Sequence, residues 1–345
     1  MKVAVVGAGI AGSSAALALA DRGHDVTLFE KFAPGHDRGS SHGASRIIRR
    51  AYPDPFYTAC MVEAYPLWEE LCRRSGEALV HEVGLLYFGP GSAPEIGVMV
   101  QGLKDLGVEH DLLDSKATKR VFPTLQLSTD EVGVWTPGAG WVSADAAIRA
   151  TLRLAQDLGV NIQPQTSAQQ ARIEAEFDAF AVCAGPWIRE WIPDLPVKVT
   201  LQGFAYLAGH LKGPVWIEHA PEFAYGFPTE TRGFKIGIHT GGRAIDPNDP
   251  NREPDPDLLK AIKAVATRRF GVPEPSFLET KGCLYTATEN DDFLLGRVGD
   301  KGFFASACSG HGFKFGPWIG RLLADFIDGR DRPERHPRFV WPKPA

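Results

Sequence analysis

The sequence predicts an α/β protein with two domains, α+β in overall layout. A Rossmann-like sheet with flanking helices is assembled from separated stretches of chain, and a discontinuous, mostly antiparallel sheet is inserted between them. Three observations predict this class. A short apolar strand, a glycine-rich turn and an alanine-rich helix open the chain. Residues 180–185 and 302–307 each predict another short strand of small and apolar residues beside a glycine turn. The stretches near 84–138 and 197–289 instead show strand-like alternation broken by proline and glycine turns.

A dinucleotide-binding fingerprint explains the first of these observations. Residues 2–6 predict a buried strand, a helix then continues to about Arg22, and a second strand ends at Glu30. Glycines at the turn let the backbone approach a pyrophosphate, the helix N-terminus adds N–H groups, and the acid accepts a hydrogen bond from a ribose hydroxyl. Residues 18–20 imitate a signal-peptide cleavage site, but the strand, helix and strand in register favour the fingerprint. The glycines of the fingerprint are Gly7, Gly9 and Gly12.

The later segments are expected to return to the same sheet. We therefore assign residues 1–83, 139–196 and 290–345 to the dinucleotide-binding domain. Residues 84–138 and 197–289 are assigned to the second domain, which we expect to bind the substrate. A chain of 345 residues is long enough for about two domains.

Composition narrows the possible partners. The net charge of −5 gives no basic surface for nucleic acid or for an anionic membrane. No apolar stretch of about 18 residues follows the N-terminal segment, so no membrane span is expected. The five cysteines are an odd number and too few for a disulfide scaffold, which favours a reducing compartment. We expect a cytoplasmic protein without a peroxisomal C-terminal tripeptide, and no metal site is predicted.

Five short motifs carry a resemblance to a known family. They are residues 39–43 (GSSHG), 46–49 (RIIR), 233–239 (GFKIGIH), 283–286 (CLYT) and 309–315 (SGHGFKF). Together with the fingerprint, they resemble the signature of the monomeric sarcosine oxidases and N-methyltryptophan oxidases, within the D-amino-acid oxidase superfamily. The motifs follow the family order and span nearly the whole chain.

The resemblance implies a flavin-dependent amine oxidase. Members of this family hold FAD covalently through a cysteine thioether. They oxidise secondary or cyclic amino acids to imines, and O2 accepts the electrons to give hydrogen peroxide. The implied partners are therefore O2 and a small amino acid with a free carboxylate, and the implied enzyme is a monomer.

The resemblance also assigns cofactor residues. Cys283 matches the flavin-linked cysteine, although two residues that share a strand face, such as Cys283 and Tyr285, are more often a packed core pair. The remaining cysteines are expected to be buried apolar residues. The glycine turn 309–312 precedes a predicted helix, so its N–H groups could favour an anionic reduced flavin. The assigned cofactor residues are Gly7, Gly9, Gly12, Glu30, Ser41, His42, Arg46, Gly185, Cys283, Gly310, Gly312 and Lys314.

Substrate and catalytic residues follow from the same motifs. Arg49 and Lys314 match two anchors for the substrate carboxylate, although an arginine-rich segment ordinarily marks a solvated helix face. Lys235 matches the lysine that promotes the reaction with O2, and strand alternation places it on one face with His239. A solvent-facing edge strand is the alternative there. The pocket residues implied beside them are Tyr225, His239, Tyr285 and His311, the last of which fits a core histidine equally well.

Several alternatives remain open at this point. Residues 44–45 (AS) and 307–308 (AC) depart from the family pattern, so the substrate could be another N-methyl amino acid, a cyclic imino acid or a glycated amine. No general base is identified. The rival functions are a D-amino-acid or glycine oxidase with noncovalent FAD, a nicotinamide dehydrogenase and a nonenzymatic flavoprotein.

Overall fold

The structure is a computed structural model that describes residues 1–228 and 233–342. The C-terminal tripeptide considered above falls outside these ranges. The strands are β1 (Lys2–Val6), β2 (Asp25–Phe29), β3 (Ser45–Ile48), β4 (Val80–His81), β5 (Leu85–Pro90), β6 (Asp111–Leu113), β7 (Glu131–Thr136), β8 (Gly140–Ser143), β9 (Asn161–Gln163), β10 (Ala179–Val182), β11 (Lys198–Leu207), β12 (Val215–Glu218), β13 (Ala224–Phe227), β14 (Phe234–Ile238), β15 (Arg243–Ala244), β16 (Phe277–Ala287), β17 (Leu294–Val298), β18 (Gly302–Ser306) and β19 (Val340–Trp341). The helices are α1 (Ile10–Asp21), α2 (Pro55–Ser75), α3 (Pro94–Asp105), α4 (Ser115–Val121), α5 (Ala144–Asp157), α6 (Gln170–Glu176), α7 (Pro256–Phe270) and α8 (Gly316–Ile327).

The first sheet has seven strands in the order β19-β17-β18-β10-β1-β2-β9. Strands β18, β10, β1, β2 and β9 run parallel, and β17 pairs antiparallel to β18. Helices α1, α2, α5 and α8 cover one face, and a second apolar cluster that includes α6 covers the other. Parallel sheets need both faces covered, which explains the continuous apolar runs at β1 and β10. The predicted α/β class is confirmed.

The second sheet has nine strands and joins two distant stretches of chain. Its order is β15-β11-β14-β13-β12-β5-β7-β6, and β16 pairs with β11 off this path. Strands β5 to β7 come from residues 85–136, whereas the others come from residues 198–287. The pairing of β12 with β5 is parallel, and the remaining pairs are antiparallel. Helix α7 packs on one face and α3 on the other.

A third, small sheet corrects one local expectation. The segment that carries Arg46 and Arg49 would by itself suggest a solvated helix face, but Arg46 lies in strand β3 and Arg49 follows it directly. β3 pairs antiparallel with β8, which also pairs with β4. The β-branched Ile47 and Ile48 favour a strand, and Ile48 is fully buried. The two arginines therefore do not lie on a solvated helix face, and their side chains point toward the interior.

A buried ion-pair group ties the two stretches of the second sheet together. Arg269, near the end of α7, contacts Glu131 in β7 and Glu218 in β12, each at 2.6 Å. All three side chains are buried. Although burial raises the pKa of Glu131, its hydrogen bonds with Arg269 and the Ser128 amide lower the pKa below its usual range.

None of the helices in the described ranges is long and apolar enough to cross a membrane.

We expect Arg269→Met to destabilise the protein strongly. Removing Arg269 leaves the buried Glu131 carboxylate without its cation, while Arg268 still pairs with Glu218, and breaking a buried pair in this way typically costs about 3–5 kcal/mol. Urea denaturation followed by circular dichroism measures the free energy of unfolding. The control is Arg73→Met, because Arg73 forms an exposed pair with Glu70 within α2. An Arg269→Met protein as stable as the Arg73→Met protein would contradict this prediction.

Candidate functional site

A single cavity of about 510 Å³ collects almost all of the residues singled out in the sequence. It lies at the carboxyl ends of β1, β2, β10 and β18 and faces β11, β14 and β16 of the second sheet. Ligands bind at this edge in open α/β sheets. Gly12 is the exception, because it lies behind the lining against the Gly7 carbonyl. The predicted residues that line the cavity are Gly7, Gly9, Glu30, Ser41, His42, Arg46, Arg49, Gly185, Tyr225, Lys235, His239, Cys283, Tyr285, Gly310, His311, Gly312 and Lys314.

One end of the cavity has the features that a dinucleotide requires. Gly7 has a φ of +97°, and a Cβ there would collide with the Cys183 carbonyl. Ile10 begins α1 and donates its backbone N–H to Ser41 Oγ at 3.2 Å. That N–H is therefore already paired, but a Cβ at Gly9 would meet only Ser41 within 4 Å among the described residues, so the turn at Gly9 leaves room for a phosphate group to approach the backbone.

Glu30 is a buried acid at this end of the cavity. Its carboxylate accepts hydrogen bonds from the backbone N–H groups of Ala8 and Phe32, each at 2.8 Å. His36 Nε2 lies 3.4 Å from Glu30 Oε1. Burial raises the pKa of Glu30, but hydrogen bonds from His36, Phe32 and Ala8 outweigh burial and lower it. The residue is therefore a fixed carboxylate, which suits the hydroxyl groups of a ribose.

Cys283 lies at the other end of the cavity, on β16. The thiol is buried, and Arg46 Nη2 lies 3.7 Å from its Sγ. Burial raises the pKa of the Cys283 thiol, and the Arg46 charge opposes that shift. Cys183 and Cys308 also line the cavity, but burial alone raises the pKa of Cys183. The expectation that the other cysteines are buried is wrong for Cys308 and for Cys72, which are half-buried.

Backbone carbonyls hold Arg46 in place. Its guanidinium donates to the carbonyls of Ser40 at 2.9 Å and Ser45 at 3.0 Å, and also to that of His42. The ring of His42 is buried, and its Nε2 has no hydrogen-bond partner in the described residues. Burial and the Arg46 charge lower the pKa of His42 to about 4. A neutral, unpartnered ring nitrogen on the cavity wall is suited to a bound group that supplies the missing partner.

Lys235 is the most deeply buried cation of the cavity. Only 2% of it is exposed, and its Nζ donates to the Ser45 carbonyl at 3.3 Å. The same atom lies 4.2 Å from the centre of the Phe204 ring and 4.8 Å from that of Phe227. Burial and the Arg46 charge hold the pKa of Lys235 well below its usual range. Phe234, on the opposite face of β14, packs in the core, as strand alternation predicts.

Two further cations lie close to one tyrosine. Arg49 is buried, donates to the Ala51 carbonyl, and lies 3.8 Å from the centre of the Tyr52 ring. Lys314 Nζ donates to the Tyr52 hydroxyl at 3.0 Å and to the His311 carbonyl at 2.7 Å. Burial, followed by the Arg49 charge, holds the pKa of Lys314 well below its usual range. Within residues 1–228 and 233–342, no acidic side chain pairs with either cation.

The remaining predicted residues are neutral groups around these cations. Burial, with Arg49 and Lys314, lowers the pKa of His239 to about 4, and burial holds the pKa of His311 well below its usual range. Burial raises the pKa of Tyr225 to about 12, and the Arg46 charge opposes that shift. The pKa of Tyr285 is raised well above its usual range for the same reason. None of these groups is a carboxylate, so they can tune and orient a ligand rather than compete with it for the cations.

The late glycines bring backbone close to these side chains. Gly310 has a φ of +70°, and a Cβ there would collide with the rings of Tyr285 and His239. Gly312 begins the 3-10 helix Gly312–Phe315 that leads into α8, and Gly185 begins another, Gly185–Glu190. The glycine turn therefore comes just before a helix, as the sequence predicts, with a short 3-10 segment between them.

Among the cavity side chains that sequence reasoning missed, three contact its buried cations. Tyr52 contacts both Arg49 and Lys314, yet in the sequence its position three residues after Arg49 is the sole signal. Phe204 and Phe227 flank Lys235 from the neighbouring strands β11 and β13. Their roles depend on strand pairing, which a single sequence does not disclose.

Comparison with known proteins agrees with the fold and the motifs. The profile of the DAO family, described as FAD dependent oxidoreductase, matches residues 2–326. The peroxisomal sarcosine oxidase of Homo sapiens is 31% identical, over 92% of this chain and 90% of its own. The monomeric sarcosine oxidase of Streptomyces avermitilis is 30% identical, over 94% of this chain and 92% of its own.

A solved structure extends the comparison to the fold. The open form of a Tyr258Phe mutant of NikD, described as an unusual amino acid oxidase essential for nikkomycin biosynthesis, superposes with a TM-score of 0.81. It is 22% identical and is covered over 94% of its chain and 95% of this one. This likeness concerns the fold alone. The family match and the curated relatives together confirm the resemblance seen in the motifs, and the chain belongs to the FAD dependent oxidoreductase family.

Proposed function

We propose that this protein oxidises a secondary or cyclic amino acid, such as an N-methyl amino acid or an imino acid, to the imine. O2 is the electron acceptor and becomes hydrogen peroxide. The observation that carries this proposal is the pair of buried cations, Arg49 and Lys314, in one cavity without an acidic partner in the described residues. A substrate carboxylate would satisfy both. The sarcosine oxidases at 30–31% identity act on a substrate of this kind, as their names state.

The residues of the cavity fit FAD. The glycine turn and the start of α1 would hold the pyrophosphate, and Glu30 the ribose. The unpartnered His42 Nε2 and the backbone at Gly310 would face the isoalloxazine, whereas the N–H groups of His311 and Gly312 donate to the Cys308 carbonyl. When bound, the flavin supplies the acceptor for the hydride equivalent that leaves the substrate. We further propose that Cys283 holds the flavin covalently as a thioether, because this buried thiol lies beside the Arg46 guanidinium.

The charges of the cavity also control the state of the amine. Four of the cations that line it, Arg46, Arg49, Lys235 and Lys314, have no acidic partner among the described residues. Their positive potential disfavours a further positive charge, so the pKa of a bound substrate ammonium falls and the reactive neutral amine forms more readily. We propose that His239, His311 and Tyr225 orient the substrate and adjust this potential as neutral groups. No separate carboxylate base is needed for this step.

We also propose the division of labour between the two parts of the chain. Residues 1–83, 139–196 and 290–345 would form the FAD-binding domain. Residues 84–138 and 197–289 would form the substrate domain, which contributes Lys235 and Cys283. The sheet memberships support this division, because β5, β6 and β7 belong to the second sheet, which β5 joins by pairing with β12, rather than to the parallel sheet.

We expect Arg49→Met to raise the KM for carboxylate-bearing substrates by roughly tenfold to a hundredfold. A charge-assisted hydrogen bond contributes about 1.5–3 kcal/mol, and tenfold corresponds to about 1.4 kcal/mol. Peroxide release is measured with a panel of sarcosine, N-methyl amino acids, proline and pipecolate, and pyrrolidine serves as the carboxylate-free match for proline. Arg50→Met is the control, because Arg50 lies over the Tyr65 ring and outside the cavity lining. If Arg49→Met and Arg50→Met have equal KM values, the carboxylate site is misplaced.

We expect acid to leave the flavin attached to the wild-type protein but to release it from Cys283→Ser. The measurement is the absorbance of pellet and supernatant after acid precipitation. Cys308→Ser is the matched control, since Cys308 also lines the cavity but belongs to the turn before Gly310. A colourless wild-type pellet with a yellow supernatant would instead support the noncovalent, D-amino-acid or glycine oxidase type of enzyme.

We expect Lys235→Met to slow the reaction of the reduced enzyme with O2 by about 10²–10³-fold. A preorganised charge of this kind stabilises the negative charge that develops as O2 is reduced, and removing one such group typically costs that much. Stopped-flow mixing of anaerobically reduced enzyme with O2 measures this rate. Reduction by substrate should change far less. Lys281→Met is the control, because Lys281 is exposed and pairs with Glu279, and an unchanged O2 rate in Lys235→Met would refute the role.

A further inference from the structure

Tyr52 contacts both cations that are proposed to bind the substrate carboxylate. It lies in the loop between β3 and α2 and is 5% exposed. Its hydroxyl accepts from Lys314 Nζ at 3.0 Å, and the Arg49 guanidinium lies 3.8 Å from the centre of its ring. The ring is packed between Tyr57 and Phe315, whose centroids are 5.5 and 6.0 Å away. A side chain packed in this way has little freedom to leave either contact.

The hydrogen bonds around Tyr52 have a defined direction. An ammonium group only donates, so the Tyr52 oxygen accepts from Lys314 and the tyrosine O–H must donate elsewhere. His311 Nδ1 lies 3.3 Å away and is the available acceptor. His311 is then neutral with its proton on Nε2, which donates to the Asp291 carbonyl at 3.0 Å. The burial of His311 favours this neutral form.

This direction leaves one donor of Lys314 for a ligand. Of its three N–H groups, one binds Tyr52 and a second binds the His311 carbonyl at 2.7 Å. The described hydrogen bond of Arg49, to the Ala51 carbonyl, occupies one of its five N–H groups. Each cation therefore has at least one N–H group that can bind a ligand in the cavity, while its other bonds hold the side chain in place.

We propose that Tyr52 is a positioning residue for the carboxylate site, in which its hydroxyl orients Lys314 and its ring orients Arg49 toward the same carboxylate. This inference rests on the proposed function, because it deepens the description of that site. None of the family motifs identified in the sequence includes Tyr52. In this proposal Tyr52 does not contact the reacting atoms of the substrate or the flavin. It acts by positioning Arg49 and Lys314.

The hydroxyl also affects the charge of Lys314. The groups that face Lys314 are Arg49, Arg46, Tyr52, His311 and, across the cavity, His239. The two arginines disfavour the ammonium form, whereas the Tyr52 oxygen stabilises it by accepting a hydrogen bond. Without that acceptor, the pKa of Lys314 falls further. Carboxylate binding is present below this pKa and is lost above it, so its alkaline limit moves to lower pH.

Acetate binding to the FAD-loaded enzyme tests this inference. The dissociation constant is measured from the change in flavin absorbance between pH 6 and 10, for wild type, Tyr52→Phe, Tyr52→Leu and Arg49→Met. We expect Tyr52→Phe to weaken acetate binding on the order of tenfold, about 1.4 kcal/mol, and to shift its alkaline limit to lower pH. Tyr52→Leu, which also removes the ring, should weaken binding more. The KM should rise with little change in kcat.

Tyr65→Phe is the matched control. Tyr65 is buried beneath Arg50, whose guanidinium lies 3.4 Å from the ring centre, but it does not line the cavity. Its hydroxyl has no hydrogen-bond partner in the described residues. Acetate binding and its pH profile should therefore stay at wild-type values, which also accounts for any general effect of losing a buried hydroxyl.

The outcomes separate this inference from the proposed function. A wild-type enzyme that binds no acetate, or binding that is insensitive to Arg49→Met, overturns the carboxylate site and this inference together. If wild type binds acetate and Arg49→Met weakens binding, but Tyr52→Phe matches wild type in affinity and pH profile, the role of Tyr52 alone is overturned. An equal loss in Tyr65→Phe would likewise overturn it, since the effect would then be one of packing.

Discussion

The burial of positive charge without a matching acid is the constraint on which this site depends. Arg46, Arg49, Lys235 and Lys314 line one cavity, and no acidic side chain of the described ranges pairs with any of them. Each buried ion carries a desolvation cost of several kcal/mol. Carbonyl dipoles and aromatic faces offset part of this cost. The Ser45 carbonyl alone accepts from both Arg46 and Lys235. The remaining deficit is best met by an anionic ligand.

The two sheets make this arrangement possible by supplying opposite kinds of groups. The parallel sheet ends in glycines and backbone N–H groups, with Glu30 as a fixed carboxylate. The second sheet contributes Lys235 from β14 and Cys283 from β16. The cavity therefore has a fixed carboxylate near the first strands of the chain, whereas its unpaired cations come from β3 and the residue after it, from β14 and from the 3-10 helix before α8. An elongated cofactor with a ribose at one end and an electron-accepting ring at the other matches this polarity.

Features that depend on residues close together in the sequence could be predicted, whereas contacts between residues far apart in the sequence could not. The fingerprint from β1 to Glu30 and the alternation around Lys235 depend on residues that are close in the chain. The strand β3 is hard to recognise in the sequence, because its arginine-rich segment suggests a solvated helix face. The inward direction of these arginines depends on the cavity, which distant parts of the chain form. The contact of Tyr52 with Lys314 joins residues 262 positions apart, and no local pattern marks it. Residues that act through other residues are thus the hardest to find in a single sequence.

Arg46 links the charge of the cavity to the chemistry proposed for Cys283. Burial favours the protonated thiol, whereas the guanidinium 3.7 Å away favours the thiolate. Because three backbone carbonyls hold that guanidinium, it cannot turn aside to neutralise another group. Cys183 lies in the same cavity but has no such neighbour among the causes of its raised pKa. The position of one fixed cation therefore distinguishes Cys283 from Cys183, although both thiols are buried to the same degree.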